Sequence, residues 1–398
     1  MTCKPGTLIL QSPSYAHVIS SSSVDSVCDQ CLSTPNIFDN VAPVRLSRCS
    51  KCRVSYYCNV QCQRLAWPRH KLECSYLTRI SPRTPPAVVR LMLRILFRHR
   101  AEPDYQETLP DGSVRSLEDL VTHKKQILSS NERAEAFSSF LPVIRACVGD
   151  MFSSDELLTT FCTVLINSTE ITDDMGNSVG TGLYLGLSAV DHSCAPNVNV
   201  VFHKNSVELR SMTEIPAPVW SQVRVNYLNR VLPRHMRQSR LLEDYYFNCH
   251  CHLCSSDDGP MDEYCVKAEA LSDVFYDQLD DTELVKMFNK MRTVFSVYDH
   301  RMVEYSEKVM AACLNLGQYE MFYTVGEYLL KAYDEYFHPH SVSYGLHLAK
   351  LAKVAIYLDH TSDALQYLNK CFKIFKLSHG ENSLMLSYLH SLRDSISL

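Results

Sequence analysis

Between residues 28 and 74 the chain reads Cys28-Asp29-Gln30-Cys31, Cys49-Ser50-Lys51-Cys52, Cys58-Asn59-Val60-Gln61-Cys62 and His70-Lys71-Leu72-Glu73-Cys74. Four close pairs supply eight soft or borderline ligands, enough for two closed tetrahedral zinc sites. A second array, Cys249-x-Cys251-x2-Cys254, has three ligands and is one short of a tetrahedron. Cys194, in Asp191-His192-Ser193-Cys194-Ala195-Pro196-Asn197, is a candidate for the fourth. The competing reading of clustered cysteines, a disulfide framework, suits small secreted chains. This chain has 398 residues and 17 cysteines, an odd number. Its N-terminal stretch also shows no apolar leader followed by a small-residue cleavage site.

Hydrophobic residues make up 46% and charged residues 21%, so a globular protein of two or three domains is expected. No apolar run approaches the roughly 18 residues of a membrane span. The best stretch, 87–97, is broken by Arg90 and Arg94. A net charge of −5 argues against obligate nucleic-acid binding. Charge is uneven, however: from Arg45 to Arg100 there are 13 Lys or Arg residues and one acid, Glu73. Either this is a patch for an acidic partner, or it compensates zinc-bound thiolates locally. Arg90, Arg94 and Arg98 are expected on a solvated helix face opposite Leu91, Ile95 and Leu96.

Outward from the cysteines, Leu8-Ile9-Leu10 is a short apolar segment and Ser20–Ser23 a linker-like serine run. Pro68 is expected to start a helix that puts His70 and Cys74 on one face. Pro82–Pro86 reads as a linker and 87–166 as helical, with Leu117, Leu120, Lys124 and Ile127 near the 3.6 period. Val198, Val200 and Phe202 alternate with polar residues, as do Val207 and Leu209, giving a hairpin around His203-Lys204-Asn205-Ser206. Val223 and Val225 suggest another short strand. After Pro260 about seven amphipathic helices are expected, one with Leu346, Leu348, Leu351 and Val354 on its apolar face. His338-Pro339-His340-Ser341 is echoed 42 residues later by Gly380-Glu381-Asn382-Ser383, a period that suits paired tetratricopeptide-type helices.

These motifs, in this order, resemble the SET-and-MYND family of protein lysine methyltransferases. The resemblance implies an α+β fold: a SET β-core with an inserted MYND zinc module, a post-SET zinc site and an all-α, tetratricopeptide-like C-terminal domain. Its divisions would be 1–27 (N-terminal part of a split SET domain), 28–74 (MYND), 75–166 (helical insertion), 167–247 (SET core), 248–261 (post-SET) and 262–398 (helical). By the same resemblance Cys28, Cys31, Cys58 and Cys62 hold one zinc ion, and Cys49, Cys52, His70 and Cys74 a second. Cys194, Cys249, Cys251 and Cys254 hold a third, all structural.

The family's cofactor is S-adenosyl-L-methionine, and its loop Asn-His-Ser-Cys-x-Pro-Asn is similar to residues 191–197. Asp191, His192, Asn167, His123 and Phe247 are the implied cofactor contacts, Tyr227 the active-site tyrosine, and Tyr245 and Thr169 the lining of the lysine channel. Methyl transfer from a sulfonium to an amine is an in-line displacement that needs a neutral lysine in a tight near-attack geometry. Aromatic walls desolvate the ammonium and lower its pKa. The implied partners are lysine-containing histone or non-histone proteins, with Pro-rich peptides at the MYND module, in nucleus and cytoplasm. The alternative is a weak or inactive adaptor.

The sequence also departs from the family. Asp191 replaces the loop's Asn, Thr169 stands where a channel aromatic is usual, and Ile215–Gln222 replaces a Gly-Glu-Glu-Leu segment. Met1–Leu10 resembles the second SET strand, so the family's first strand with its Gly-x-Gly loop is expected to be missing and cofactor binding to be weak.

Overall fold

A computed structural model describes residues 2–34, 45–228, 231–256 and 278–396. The chain divides into two compact units, one of residues 8–191 with 200–209, the other of residues 1–7, 192–199 and 210–398.

The first unit opens on β1 (Leu8–Pro13) and β2 (Ala16–Ile19), the latter buried along its length. Ser20–Ser23 is a hydrogen-bonded turn, Ser23 N donating to Ser20 O, and not a loose linker. Strands β3 (Ser47–Arg48) and β4 (Tyr56–Tyr57) pair antiparallel ahead of α1 (Val60–Ile80). Asn59 caps α1 by accepting from Cys62 N at 2.8 Å, the role for which its short amide suits it. Pro68 lies inside this helix, so the expected helix start there is wrong: Cys62, His70 and Cys74 share one continuous helix.

Helix α2 (Ala87–Ala101) overturns the expected solvated arginine face. Arg90 is buried at 4% exposure, and Arg94 and Arg98 also turn inward. Arg90 Nε donates to Glu73 at 2.8 Å; Arg94 reaches Asp29 at 2.9 Å, Glu73, and the carbonyl of His17. Arg98 donates to the carbonyl of Tyr15 at 2.6 Å and lies over the Tyr15 and Tyr105 rings. Residues one helical turn apart stack on one face, and here that face is an arginine ladder between the zinc module and β2.

The segment read as wholly helical contains a two-residue strand pair, β5 (Glu107–Thr108) with β6 (Val114–Arg115). Leu117 and Leu120 precede α3 (Lys124–Ser129), which holds only Lys124 and Ile127 of the predicted set. Helices α4 (Asn131–Val148) and α5 (Ser154–Asn167) follow, α5 started by a reciprocal capping box of Ser153 and Glu156. Then come β7 (Ser168–Thr172), β8 (Ser178–Leu183), and the expected hairpin of β9 (Val198–His203) and β10 (Ser206–Ser211). Lys204 turns it at φ 54°.

The strands form two three-stranded sheets, ordered β1-β10-β9 and β2-β8-β7. Where β8 passes β2, a Cβ on Gly180 would lie 2.2 Å from the Val18 carbonyl, so only glycine fits. Ile19, Val27, Ile171, Val179, Tyr184 and Val207 close the core.

In the second unit Cys3 and Ile215 form an antiparallel bridge. Val223 ends the short helix α6 (Val219–Gln222) and Val225 makes a single parallel bridge with His192; the strand expected there is absent. Helices α7 (Arg234–Tyr245) and α8 (His252–Ser255) frame the second cysteine array. Residues 257–277, which include the end of the expected post-SET segment, lie outside the described residues.

Six helices follow among the described residues, where about seven were expected: α9 (Asp281–Val294), α10 (His300–Asn315), α11 (Tyr319–Tyr336), α12 (Val342–Tyr357), α13 (Thr361–His379) and α14 (Leu384–Ile396). Each packs on the next through its apolar face, with Leu348, Leu351 and Val354 buried on α12. The 42-residue repeat has a local cause: Ser341 and Ser383 each accept from the backbone N–H three residues on, capping α12 and α14. Asn199 ties this array to the strand segment of its own unit, donating to His340 O and accepting from Val342 N, both at 2.9 Å.

Candidate functional site

Three clusters of ligand atoms assemble, each within 4.8 Å: Cys28, Cys31, Cys58, Cys62; Cys49, Cys52, His70, Cys74; and Cys194, Cys249, Cys251, Cys254. Sulfur separations discriminate zinc from disulfide. A tetrahedron with Zn–S of about 2.3 Å has edges of roughly 3.8 Å, whereas a disulfide is about 2.05 Å. Cys31–Cys58 and Cys49–Cys74 are both 3.8 Å, Cys194–Cys254 is 3.5 Å and Cys58–Cys62 is 3.3 Å. All these cysteines are free thiols. The donor sets therefore fit zinc.

Around the second cluster stands a shell that sequence reasoning missed. His70 aims Nε2 at Cys52 (3.6 Å), and its buried Nδ1 lies 3.5 Å from Glu73 without a hydrogen bond among the described residues. Asp29, His70 and Glu73 also sit within metal-ligand distance of one another, but both carboxylates are spent on Arg90 and Arg94. Burial would raise the Glu73 carboxyl's pKa; the two guanidiniums override it and hold the group well below the usual range. The signal was present in the sequence: Glu73 is the lone acid in a basic stretch, three residues from one ligand and adjacent to another.

The third cluster adjoins an aromatic group. Tyr227 lies with its ring centroid 4.9 Å from Tyr245, 5.2 Å from His192 and 6.4 Å edge-on from Phe247. Each element contributes for a local reason. Asn197 accepts from Arg224 N at 2.8 Å and donates to Gln222 O at 2.8 Å, so the 191–197 loop grips the segment leading to Tyr227. Tyr246 ends α7 in the left-handed conformation at φ 61°, which turns the chain and carries Phe247 back toward Tyr227. Gln238 clamps Cys249 with both ends of its amide, at 2.7 and 3.0 Å.

His192 joins the two features. Its Nδ1 accepts from the Tyr227 N–H at 3.0 Å, so in the neutral ring Nε2 carries the hydrogen, 3.3 Å from Cys194 Sγ. Burial, then the charge of Arg237, lowers its pKa to about 4, keeping it neutral. Burial also raises the Tyr245 hydroxyl pKa, with Asp244 adding to it.

The remaining predicted residues lie in the first unit. Asn167, the last residue of α5, donates to Val121 O at 2.9 Å and Thr163 O at 3.0 Å. This pins the loop two residues before His123, which starts α3 in the left-handed conformation at φ 45°. Both amide hydrogens are thereby used. Thr169 pairs with Gly182 across β7 and β8, and Asp191 is exposed.

A family model described as a MYND finger matches residues 28–74. Histone-lysine N-methyltransferase SMYD3 of Homo sapiens is 28% identical over 96% of this chain and 90% of its own length. N-lysine methyltransferase SMYD2 of Homo sapiens is 24% identical over 95% and 90%, and SMYD2-A of Xenopus laevis 26% over 94% and 90%. With a MYND-finger model matching the zinc module and likeness to these methyltransferases along nearly its whole length, the chain is similar to the SET-and-MYND proteins.

Proposed function

We propose that the chain is an S-adenosyl-L-methionine-dependent protein-lysine N-methyltransferase acting on histone or non-histone proteins in the nucleus and cytoplasm. The observation that carries this reading is the convergence of Tyr227, Tyr245, Phe247 and His192 beside the Cys194 cluster. Likeness to lysine methyltransferases over nearly the whole chain supports it.

When bound, adenosylmethionine supplies an electrophilic methyl group on a sulfonium. The protein's part is positional. The Tyr227 and Tyr245 rings hold the incoming lysine ammonium by cation–π attraction and desolvate it, favouring the neutral amine. The Tyr227 hydroxyl orients that amine for in-line attack. Phe247 and the His192 backbone would line the cofactor side; the family resemblance assigns cofactor contact to Asn167 and His123 as well. Tyr245 would line the lysine's path, and the family resemblance assigns Thr169 to the lysine channel. The three four-ligand clusters hold three zinc ions with no open coordination position, so zinc acts through folding energy. Pro-rich peptides dock on the MYND module, where α1 exposes Val60, Leu65 and Trp67.

Calorimetric titration with adenosylmethionine, followed by radiolabelled methyl transfer to histone and cytosolic protein mixtures, tests the reading. Binding with transfer to lysine is expected. A folded, zinc-loaded protein that neither binds the cofactor nor transfers methyl would be an adaptor and not an enzyme.

A further inference from the structure

The geometry points to Arg237 as the residue that retains the third zinc ion, by placing a fixed positive charge against its thiolates. The inference rests on the three-zinc reading above. Arg237 projects from α7, with Nη2 3.8 Å from Cys254 Sγ. Nη1 donates to the Leu232 carbonyl at 2.6 Å, which locks the guanidinium in place. Nε is buried without a partner among the described residues. Leaving a buried donor unmet is costly, and the position is held because a charge is needed there.

Charge arithmetic says why. Four thiolates and one Zn²⁺ sum to −2, as they do for Cys28, Cys31, Cys58 and Cys62, against −1 for the cluster of Cys49, Cys52, Cys74 and neutral His70. The third cluster is also less sheltered: Cys194 and Cys251 are half-buried, whereas all four ligands of the second are buried. A solvent-facing site with excess negative charge loses its metal to protons and chelators more readily. Arg237 brings the sum to −1 by a planar fork that can face sulfur and carbonyl together, which the lysine ammonium cannot match. Its neighbour Gln238 clamps the Cys249 backbone, and the same helix delivers Tyr245 and Phe247. Ion retention and the aromatic wall therefore hang on one helix.

The test compares the full chain with Arg237→Met and Arg237→Lys, following chelator-driven zinc release with a metallochromic dye and counting ions by native mass spectrometry. One ion should leave Arg237→Met about 10- to 100-fold faster than wild type, the scale of losing an outer-shell partner. The Lys variant should fall between the two, and the two MYND ions should leave all three proteins alike. Release from Arg237→Met at the wild-type rate, or equally fast from Met and Lys, would overturn the inference. If the Met variant does not fold, the Lys variant decides: release at the wild-type rate sinks it. Wild type holding only two ions would sink the third-site reading and this inference together; three ions with unchanged release sinks Arg237 alone.

Discussion

Replacing Glu73 by Gln removes one charge from the centre of the arginine ladder while nearly conserving shape. Glu73 is 1% exposed and joins Arg90, Arg94 and the ring of His70, so its loss leaves Arg90 without its carboxylate partner. Arg94 retains Asp29 at 2.9 Å, which limits the damage to one uncompensated charge. Breaking one side of a buried pair costs about 3–5 kcal/mol. At roughly 2–4 °C per kcal/mol for a unit of this size, the melting temperature should fall by about 6–20 °C. Because the Glu73 carboxylate also sits 3.5 Å from His70 Nδ1, where its charge favours the metal-bound ring, zinc affinity at the second cluster should weaken about 10- to 100-fold. Differential scanning calorimetry and chelator competition read the two effects separately. A second variant separates desolvation from attraction: Glu73→Leu with Arg90→Leu removes both charges and should be less destabilising than Glu73→Gln alone. A Glu73→Gln protein melting within about 2 °C of wild type with unchanged zinc affinity would refute the buried-ladder argument.

Cys251→Ser should lose one zinc ion and melt earlier while keeping both MYND ions; full zinc content in the mutant would remove the post-SET assignment. Tyr227→Phe should fold normally yet turn over about 10- to 1000-fold more slowly, as expected for one positioned transition-state contact; equal methylation rates exclude the hydroxyl from the mechanism. His347, buried and hydrogen-bonded to Gly326 O at 3.0 Å, has its pKa lowered by burial to about 4. Between about pH 6.5 and 4 the unfolded chain binds the proton and the folded one does not, so stability is full above that window and lost as pH falls through it. The loss amounts to about 3 kcal/mol, and His347→Gln should flatten the dependence of melting temperature on pH there.

The zinc clusters were legible because ligand chemistry is local: pairs two to four residues apart announce themselves whatever the tertiary fold. The hairpin and the capping serines at 341 and 383 were legible for the same reason, since turn and cap chemistry acts within a few residues. Illegible were the features decided by what lies opposite. Arg90, Arg94 and Arg98 have the spacing of a solvated face, and nothing within α2 says that Glu73, Asp29 and the His17 and Tyr15 carbonyls wait on the other side. Pro68 carries the local signal of a helix start, yet α1 runs through it because cluster ligands precede and follow it.

The aromatic group shows the same division at finer grain. Tyr227, Tyr245 and Phe247 could be picked out by family likeness, but their convergence depends on the left-handed turn at Tyr246, a non-glycine residue that no propensity would place there. It depends equally on His192 spending one ring nitrogen on the Tyr227 backbone while the other faces a zinc ligand. The zinc cluster and the tyrosine are thus joined through one imidazole, so a perturbation that empties the cluster should reach Tyr227 through that ring. Under the proposed three-zinc reading, the third ion would bear on the chemistry through position: it would hold Cys194, Cys194 faces His192, and His192 accepts from the backbone N–H of Tyr227.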